Sequence, residues 1–217
     1  MIRAVTLDVA GTLIVPFPSV GVVYAEVANA FGFDADAAQL EQDFPAAFTQ
    51  VRSQWAMPYG MNDDDARRFW HAVIDATFGQ PLPYEIGCEL YDTFATARRW
   101  RVLPNVRAAL SLIVQKKLPM AVVSNFDARL FPLLDELQLG PFVNIFTSAS
   151  VGRAKPDPAA LLAACAAMQV EPTEVLHLGD STREDGDMCA ASGAQWLRCS
   201  AEGIPLAELT AILRATP

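Results

Sequence analysis

AVTLDVAGT, residues 4–12, is an apolar run that ends on an aspartate and turns at once on a glycine. A short run of this kind suits a strand covered by helices on both faces of a parallel sheet, since a sheet with one wet face would show strict alternation. The same pattern recurs at Met120–Val123, Phe142–Phe146 and Val175–Leu178, each followed by a turn, and Gln195–Cys199 reads as a fifth strand. Helix-period segments lie between them. Pro104 reads as the first residue of a helix carrying Val106, Leu110, Ile113 and Val114 on one face, and Pro158 as the opener of another over Ala159–Met168. Alternating strands and helices predict an α/β chain with a doubly wound parallel sheet.

One interval breaks the alternation. From Ile14 to Trp100 nothing reads as a strand, and helical spacing takes over at Val20, Val23, Tyr24, Val27, Ala28 and Phe31, with Gly32 as a C-cap. Leu40, Phe44, Ala47, Phe48 and Val51 repeat the pattern, with Pro45 placed to kink or shorten that helix. A third helix carries Phe69, Trp70, Val73, Ile74 and Phe78, starting near Asn62 or Asp63 and closing at Gly79; a fourth covers Tyr84 to Ala97. The expected division is a core formed by residues 1–13 and 101–217, with residues 14–100 inserted after strand one as a helical lid.

Composition narrows the function. The chain has 217 residues, 25 acidic against 16 basic, a net charge of -9, and 52% hydrophobic residues, enough for a packed core. Such a surface does not suit nucleic acid or an anionic membrane, both of which require a basic face. The longest apolar stretch, Leu13–Ala25, contains Pro16 and Pro18 and is too short to span a bilayer. The four cysteines lack CxxC spacing, as in buried thiols of a reducing compartment, so a cytoplasmic location is expected.

Ligands of open parallel sheets bind beyond the carboxyl ends of the strands. Those ends carry Asp8 to Thr12, then Ser124-Asn125, then a loop with Lys155-Pro156-Asp157-Pro158, then Gly179-Asp180-Ser181 with Asp185 beyond. A carboxylate, a hydroxyl, an ammonium and a further pair of carboxylates at one sheet edge suit phosphoryl transfer. Asp8 can attack phosphorus, splitting one displacement into two. Lys155 and the Ser124 hydroxyl can hold phosphoryl oxygens, and Asp8 with Asp180 can hold a hard cation such as Mg²⁺. Asp185 can serve as a ligand or as a carboxylate that orients bound water. Gly11 lets the backbone approach the phosphoryl group, Thr12 can steady the turn, and Asp157 can cap the helix after Pro158. His71 and His177 read as structural, and Trp55, Tyr59, Phe69 and Trp70 mostly as core of the insert, although Trp55 and Tyr59, outside the clearest helix stripes, can line the substrate side.

In this order the segments DVAGT (8–12), SN (124–125), KPDP (155–158) and GDSTRED (179–185) resemble the four motifs of the haloacid dehalogenase-like hydrolase superfamily over essentially the whole chain. The insert resembles that family's helical C1 cap. Val20–Ala28, Pro58–Gly60 and Ser124–Asp127 are similar to its rhythmically-expressed-gene-like subgroup. The resemblance implies a Rossmann-like core, Asp8 as nucleophile, Ser124 and Lys155 as catalytic partners, and Thr12 and Asn125 as substrate contacts. It also implies Mg²⁺ on Asp8, Asp180, Asp185 and the Ala10 carbonyl, and a small phosphorylated metabolite as substrate; the oligomeric state stays open. The family's phosphatases carry a second Asp where this chain has Ala10. Two relatives lack it as well. Phosphonoacetaldehyde hydrolases need a cap lysine, whereas the lysines here are Lys116, Lys117 and Lys155 only; 2-haloacid dehalogenases need no metal and stay as an alternative, beside a catalytically weak binding or regulatory protein.

Overall fold

The computed structural model describes residues 1–214. The chain divides into two compact units, one of Met1–Val15, Val102–Phe126 and the residues from Leu137 onward, the other of Pro16–Arg101 and Asp127–Glu136. In chain order, strand β1 (Ala4–Leu7) and the short β2 (Ile14–Pro16) come first, then helices α1 (Val20–Ala30), α2 (Ala37–Gln54), α3 (Asp63–Phe78) and α4 (Tyr84–Thr93). The short β3 (Trp100–Val102), α5 (Val106–Gln115), β4 (Met120–Ser124) and α6 (Leu130–Glu136) follow. The rest is β5 (Asn144–Thr147), α7 (Ser148–Val151), α8 (Ala159–Met168), β6 (Val175–Gly179), α9 (Asp187–Ser192), β7 (Gln195–Arg198) and α10 (Leu206–Arg214).

The first unit holds a five-stranded sheet in the order β5-β4-β1-β6-β7, parallel throughout. β1 is its centre. Leu7 lies opposite Val122 on one side and Leu178 on the other, so the ends of β1, β4 and β6 finish together. One face packs Ala4, Ala121, Val123 and Val175 against Ala160, Leu161 and Ala164 of α8 and Met188 and Cys189 of α9. α5 and α10, in contact with each other, bury Ile113 and Leu213 among others. Pro158 is the N-cap residue of α8, and the Asp157 carboxylate just before it accepts from the Ala159 N–H at 2.9 Å. Pro104 does not open α5. Its carbonyl accepts from the Ile204 N–H, and Asn105 takes a left-handed φ of 62°, so helical geometry begins only at Val106.

In the second unit, Asn62 caps α3 by accepting from the Asp65 N–H at 2.9 Å, and Gly79 ends it at φ 67°. α2 runs through Pro45. The interval that reads as wholly helical begins and ends on β2 and β3, which pair with each other; three-residue strands, one containing Pro16, are too short to reveal an alternation. Tyr59 is buried and Trp55 half-buried in the core of this unit, their rings 5.3 and 5.5 Å from that of Phe69. Asp127–Glu136, which the sequence division puts in the core, groups with this unit. Asp127, 1% exposed, receives Nε and Nη2 of Arg129 at 2.8 and 2.7 Å and the Trp70 indole N–H at 2.9 Å. The Arg129 guanidinium lies 3.8 Å from the Tyr91 ring centre. No described helix is long and apolar enough to cross a membrane.

Candidate active site

Asp8 follows β1 directly, its N–H held by the Leu178 carbonyl at 2.9 Å. The next residues wrap back on themselves: Thr12, Leu13 and Ile14 all donate to the Val9 carbonyl, a turn that requires Gly11 at φ 89°. Space as well as conformation excludes a side chain at Gly11, because a Cβ would lie 2.7 Å from Asp180 Oδ2. Thr12, fully buried, donates its hydroxyl to Asp180 Oδ1 at 3.1 Å.

Asp185 sits in the π-helical turn Thr182–Gly186 and occupies the space a side chain at Gly179 would need, with its own Cβ 2.6 Å from where that atom would be. It is completely buried and fully engaged. Oδ1 accepts from Lys155 Nζ at 2.5 Å and from His177 Nε2 at 3.0 Å, and Oδ2 accepts from the Ser181 N–H at 3.0 Å. Lys155 also donates to Asp8 Oδ1 at 2.7 Å. One oxygen from each of Asp8, Asp180 and Asp185 lies within 4.8 Å of the others, a hard-oxygen set of the kind Mg²⁺ takes.

Charge crowding shifts these groups. Burial pushes the Asp8 carboxyl up to about 7, opposed by the Lys155 ammonium and reinforced by Asp185 and Asp180. Burial likewise raises Asp180. Burial works against ionised Asp185 too, but there the Lys155 charge and the His177 hydrogen bond prevail and lower it. For Lys155, burial is outweighed by Asp8 and Asp185, which hold its pKa above the usual value.

Ser124, 2% exposed, has a buried hydroxyl with no partner among the described residues. Asn125 supports a neighbour: its Oδ1 accepts from the Lys155 N–H at 2.7 Å, while Nδ2 donates to the Lys155 carbonyl at 3.2 Å and to Glu184 Oε2 at 2.6 Å. Thr12 and Asn125, read from the motifs as substrate contacts, thus have their side chains committed to Asp180 and to the Lys155 backbone. Ala10 is exposed, at the position where a second Asp would stand. Sequence reasoning missed Glu184 as a partner of the site, although it adjoins Asp185, and it missed Thr6 beneath His177. Register was the signal available, because Thr6 and His177 fall opposite each other once β1 and β6 are aligned.

Residues 2–193 match the family model described as haloacid dehalogenase-like hydrolase. The bovine (Bos taurus) haloacid dehalogenase-like hydrolase domain-containing protein 3 is 34% identical over 192 residues, covering 85% of this chain and 76% of its own. The rhythmically expressed gene 2 protein of Drosophila melanogaster is 26% identical over 204 residues, 84% and 77% of the two chains, consistent with the subgroup resemblance. Among solved structures, a HAD phosphatase from Thermococcus onnurineus superposes with a TM-score of 0.63 at 20% identity over 92% of this chain and 86% of its own, a likeness of fold.

Proposed function

The chain belongs to the haloacid dehalogenase-like hydrolase family, and from that premise we propose that it is a cytoplasmic, Mg²⁺-dependent phosphatase of small phosphorylated metabolites, working through an aspartyl phosphate on Asp8. One observation carries the reading. When ionised, Asp8, Asp180 and Asp185 set three carboxylates against the ammonium of Lys155, an excess equal to the charge of one divalent cation. Without a metal that excess would repel the carboxylate of a 2-haloacid. The four cysteines are free thiols, in keeping with a reducing compartment.

Asp8, Asp180 and the Ala10 carbonyl would hold Mg²⁺, which supplies charge neutralisation to the approach of one anion upon another. The protein's own groups do the rest. The Asp8 carboxylate forms a bond to phosphorus as the bond from phosphorus to the leaving oxygen breaks. Lys155 and the Ser124 hydroxyl hold the phosphoryl oxygens, and water then attacks phosphorus and releases Asp8. The helical unit, Pro16–Arg101 with Asp127–Glu136, is read as the cap that selects the substrate. Ala10 gives no proton to the leaving group, help worth roughly 10²- to 10⁴-fold, so good leaving groups are favoured.

The test is turnover of acetyl phosphate and an aryl phosphate with and without Mg²⁺, by wild type, Asp8→Asn and Ala10→Asp. Wild type should act on both only with Mg²⁺, Asp8→Asn should be inactive, and Ala10→Asp should accelerate alkyl phosphates. Inactivity of wild type across a broad phosphate panel, or full activity of Asp8→Asn, refutes the reading. No gain in Ala10→Asp, with wild type inactive, points instead to a binding role. Halide release from 2-haloacids that survives chelation favours the dehalogenase reading.

A further inference from the structure

We propose that His177 and Thr6 are positioning residues: a buried Thr6–His177–Asp185 hydrogen-bonded train fixes the Asp185 carboxylate and, through it, the Lys155 ammonium. Thr6 and His177 are direct partners across β1 and β6. Strand alternation puts Thr6 on the same face as Asp8, and His177 on the same face as Gly179, whose missing side chain makes room for Asp185. Both residues are completely buried, on the sheet face otherwise lined by Ala4, Ala121, Val123 and Val175.

Directionality along the train is set by chemistry. A carboxylate only accepts, so the 3.0 Å contact to Asp185 Oδ1 requires the hydrogen on Nε2. Nδ1 of the neutral ring then accepts from the Thr6 hydroxyl at 2.9 Å. The Nε2–H and the Ser181 N–H hold opposite ends of the carboxylate, so it cannot rotate. Its Oδ1 receives Lys155 Nζ at 2.5 Å, and the same ammonium reaches Asp8 Oδ1 at 2.7 Å. A polar pair in an apolar layer has no packing reason to exist, since an apolar pair of similar volume would fill the space without needing hydrogen bonds. Its consequence lies one residue away, in where Lys155 is held.

Turnover as a readout rests on the phosphatase reading; the spectroscopic readout does not. The chain has 2 histidines, so a ¹⁵N-histidine spectrum with His71→Gln as the assignment control isolates His177. We expect a neutral Nε2–H ring whose proton exchanges slowly. His177→Leu should lower kcat roughly 10- to 100-fold with KM within about threefold, the scale of losing a group that orients a reacting one. His177→Gln restores a donor at the Nε2 position and should recover most of kcat, and Thr6→Ser should outperform Thr6→Val, whatever the melting temperatures. Wild-type kcat in His177→Leu, a folded His177→Gln no better than His177→Leu, or an Nδ1–H ring overturns the proposal. If wild type shows no turnover, the ¹⁵N signal of the Lys155 ammonium decides: loss of its protected resonance in His177→Leu supports the train, and an unchanged resonance overturns it.

Discussion

Replacing Asp8 by Asn should stabilise the metal-free protein, by an amount that grows with pH. In the fold the Asp8 carboxyl is raised from its ordinary 3.8 to about 7, first by burial and then by Asp185 and Asp180, with Lys155 opposing. Below the unfolded value both states hold the proton and the group contributes nothing. Between 3.8 and about 7 the unfolded chain releases its proton and the folded one keeps it, so stability falls as pH rises; above that range the penalty is complete. The side chain is 8% exposed, so solvent screening barely reduces the effect. At ~1.36 kcal/mol for each pH unit, the penalty is roughly 2 kcal/mol at pH 5 and roughly 4 kcal/mol at pH 8. Asparagine, nearly isosteric, carries no such penalty and can still accept from Lys155. For a chain of this length each kcal/mol moves the melting temperature about 2–4 °C, so Asp8→Asn should melt ~4–8 °C above wild type at pH 5 and ~8–16 °C above it at pH 8. Circular-dichroism melts in EDTA measure the gap. Added Mg²⁺ should narrow it, because binding stabilises wild type. A gap independent of pH, or wild type the more stable at pH 8, would refute the electrostatic account of the site.

Gly179→Ala puts a Cβ 2.6 Å from that of Asp185 and forces its carboxylate away from Lys155 and His177. Overpacking and lost charge-assisted bonds together should cost about 3–5 kcal/mol and most of the activity; a thermal melt and a turnover rate matching wild type would contradict this. In the helical unit, Arg129→Met strands the 1%-exposed Asp127 without its cation and should cost about 3–5 kcal/mol in urea unfolding. The double variant Asp127→Asn, Arg129→Met should regain at least half of that loss, and a double variant as unstable as the single one would show that packing, not charge, is at stake.

The sheet was legible because its three central strands are short apolar runs closed by turns, and the candidate site residues because such sheets hold ligands at their strand ends. Asp8, Ser124, Lys155, Asp180 and Asp185 are all read this way, and Asp8, Lys155, Asp180 and Asp185 lie together in the structure. Supporting contacts were not legible, since they depend on register and on reach across the sheet. Thr6 and His177 are separated by 171 positions and meet only when β1 and β6 pair. The amide of Asn125 reads as a substrate contact from its place after Ser124, yet it clasps the Lys155 backbone on both sides, a geometry no spacing rule contains. Pro104 failed as a helix start because its carbonyl is claimed by Ile204, a tertiary contact that overrides local preference.

The sequence left Asp185 two roles, ligand or orienting carboxylate, and its surroundings favour the second. Its oxygens accept from Lys155, His177 and the Ser181 N–H, and its pKa is lowered, the sign of a charge already satisfied. Asp8 and Asp180 differ. Both are raised, Asp180 accepts from the Thr12 hydroxyl, which is uncharged, and Asp8 shares its cation with Asp185. Two carboxylates whose negative charge is poorly balanced, beside a third that is balanced, form a pair suited to a divalent cation and one buried anchor for the lysine. Gly11 and Gly179 make that division physical. One leaves room for the Asp180 carboxylate over the turn after Asp8, and the other for the Asp185 carboxylate over the sheet, so two missing side chains hold the two acids of a single motif in different surroundings.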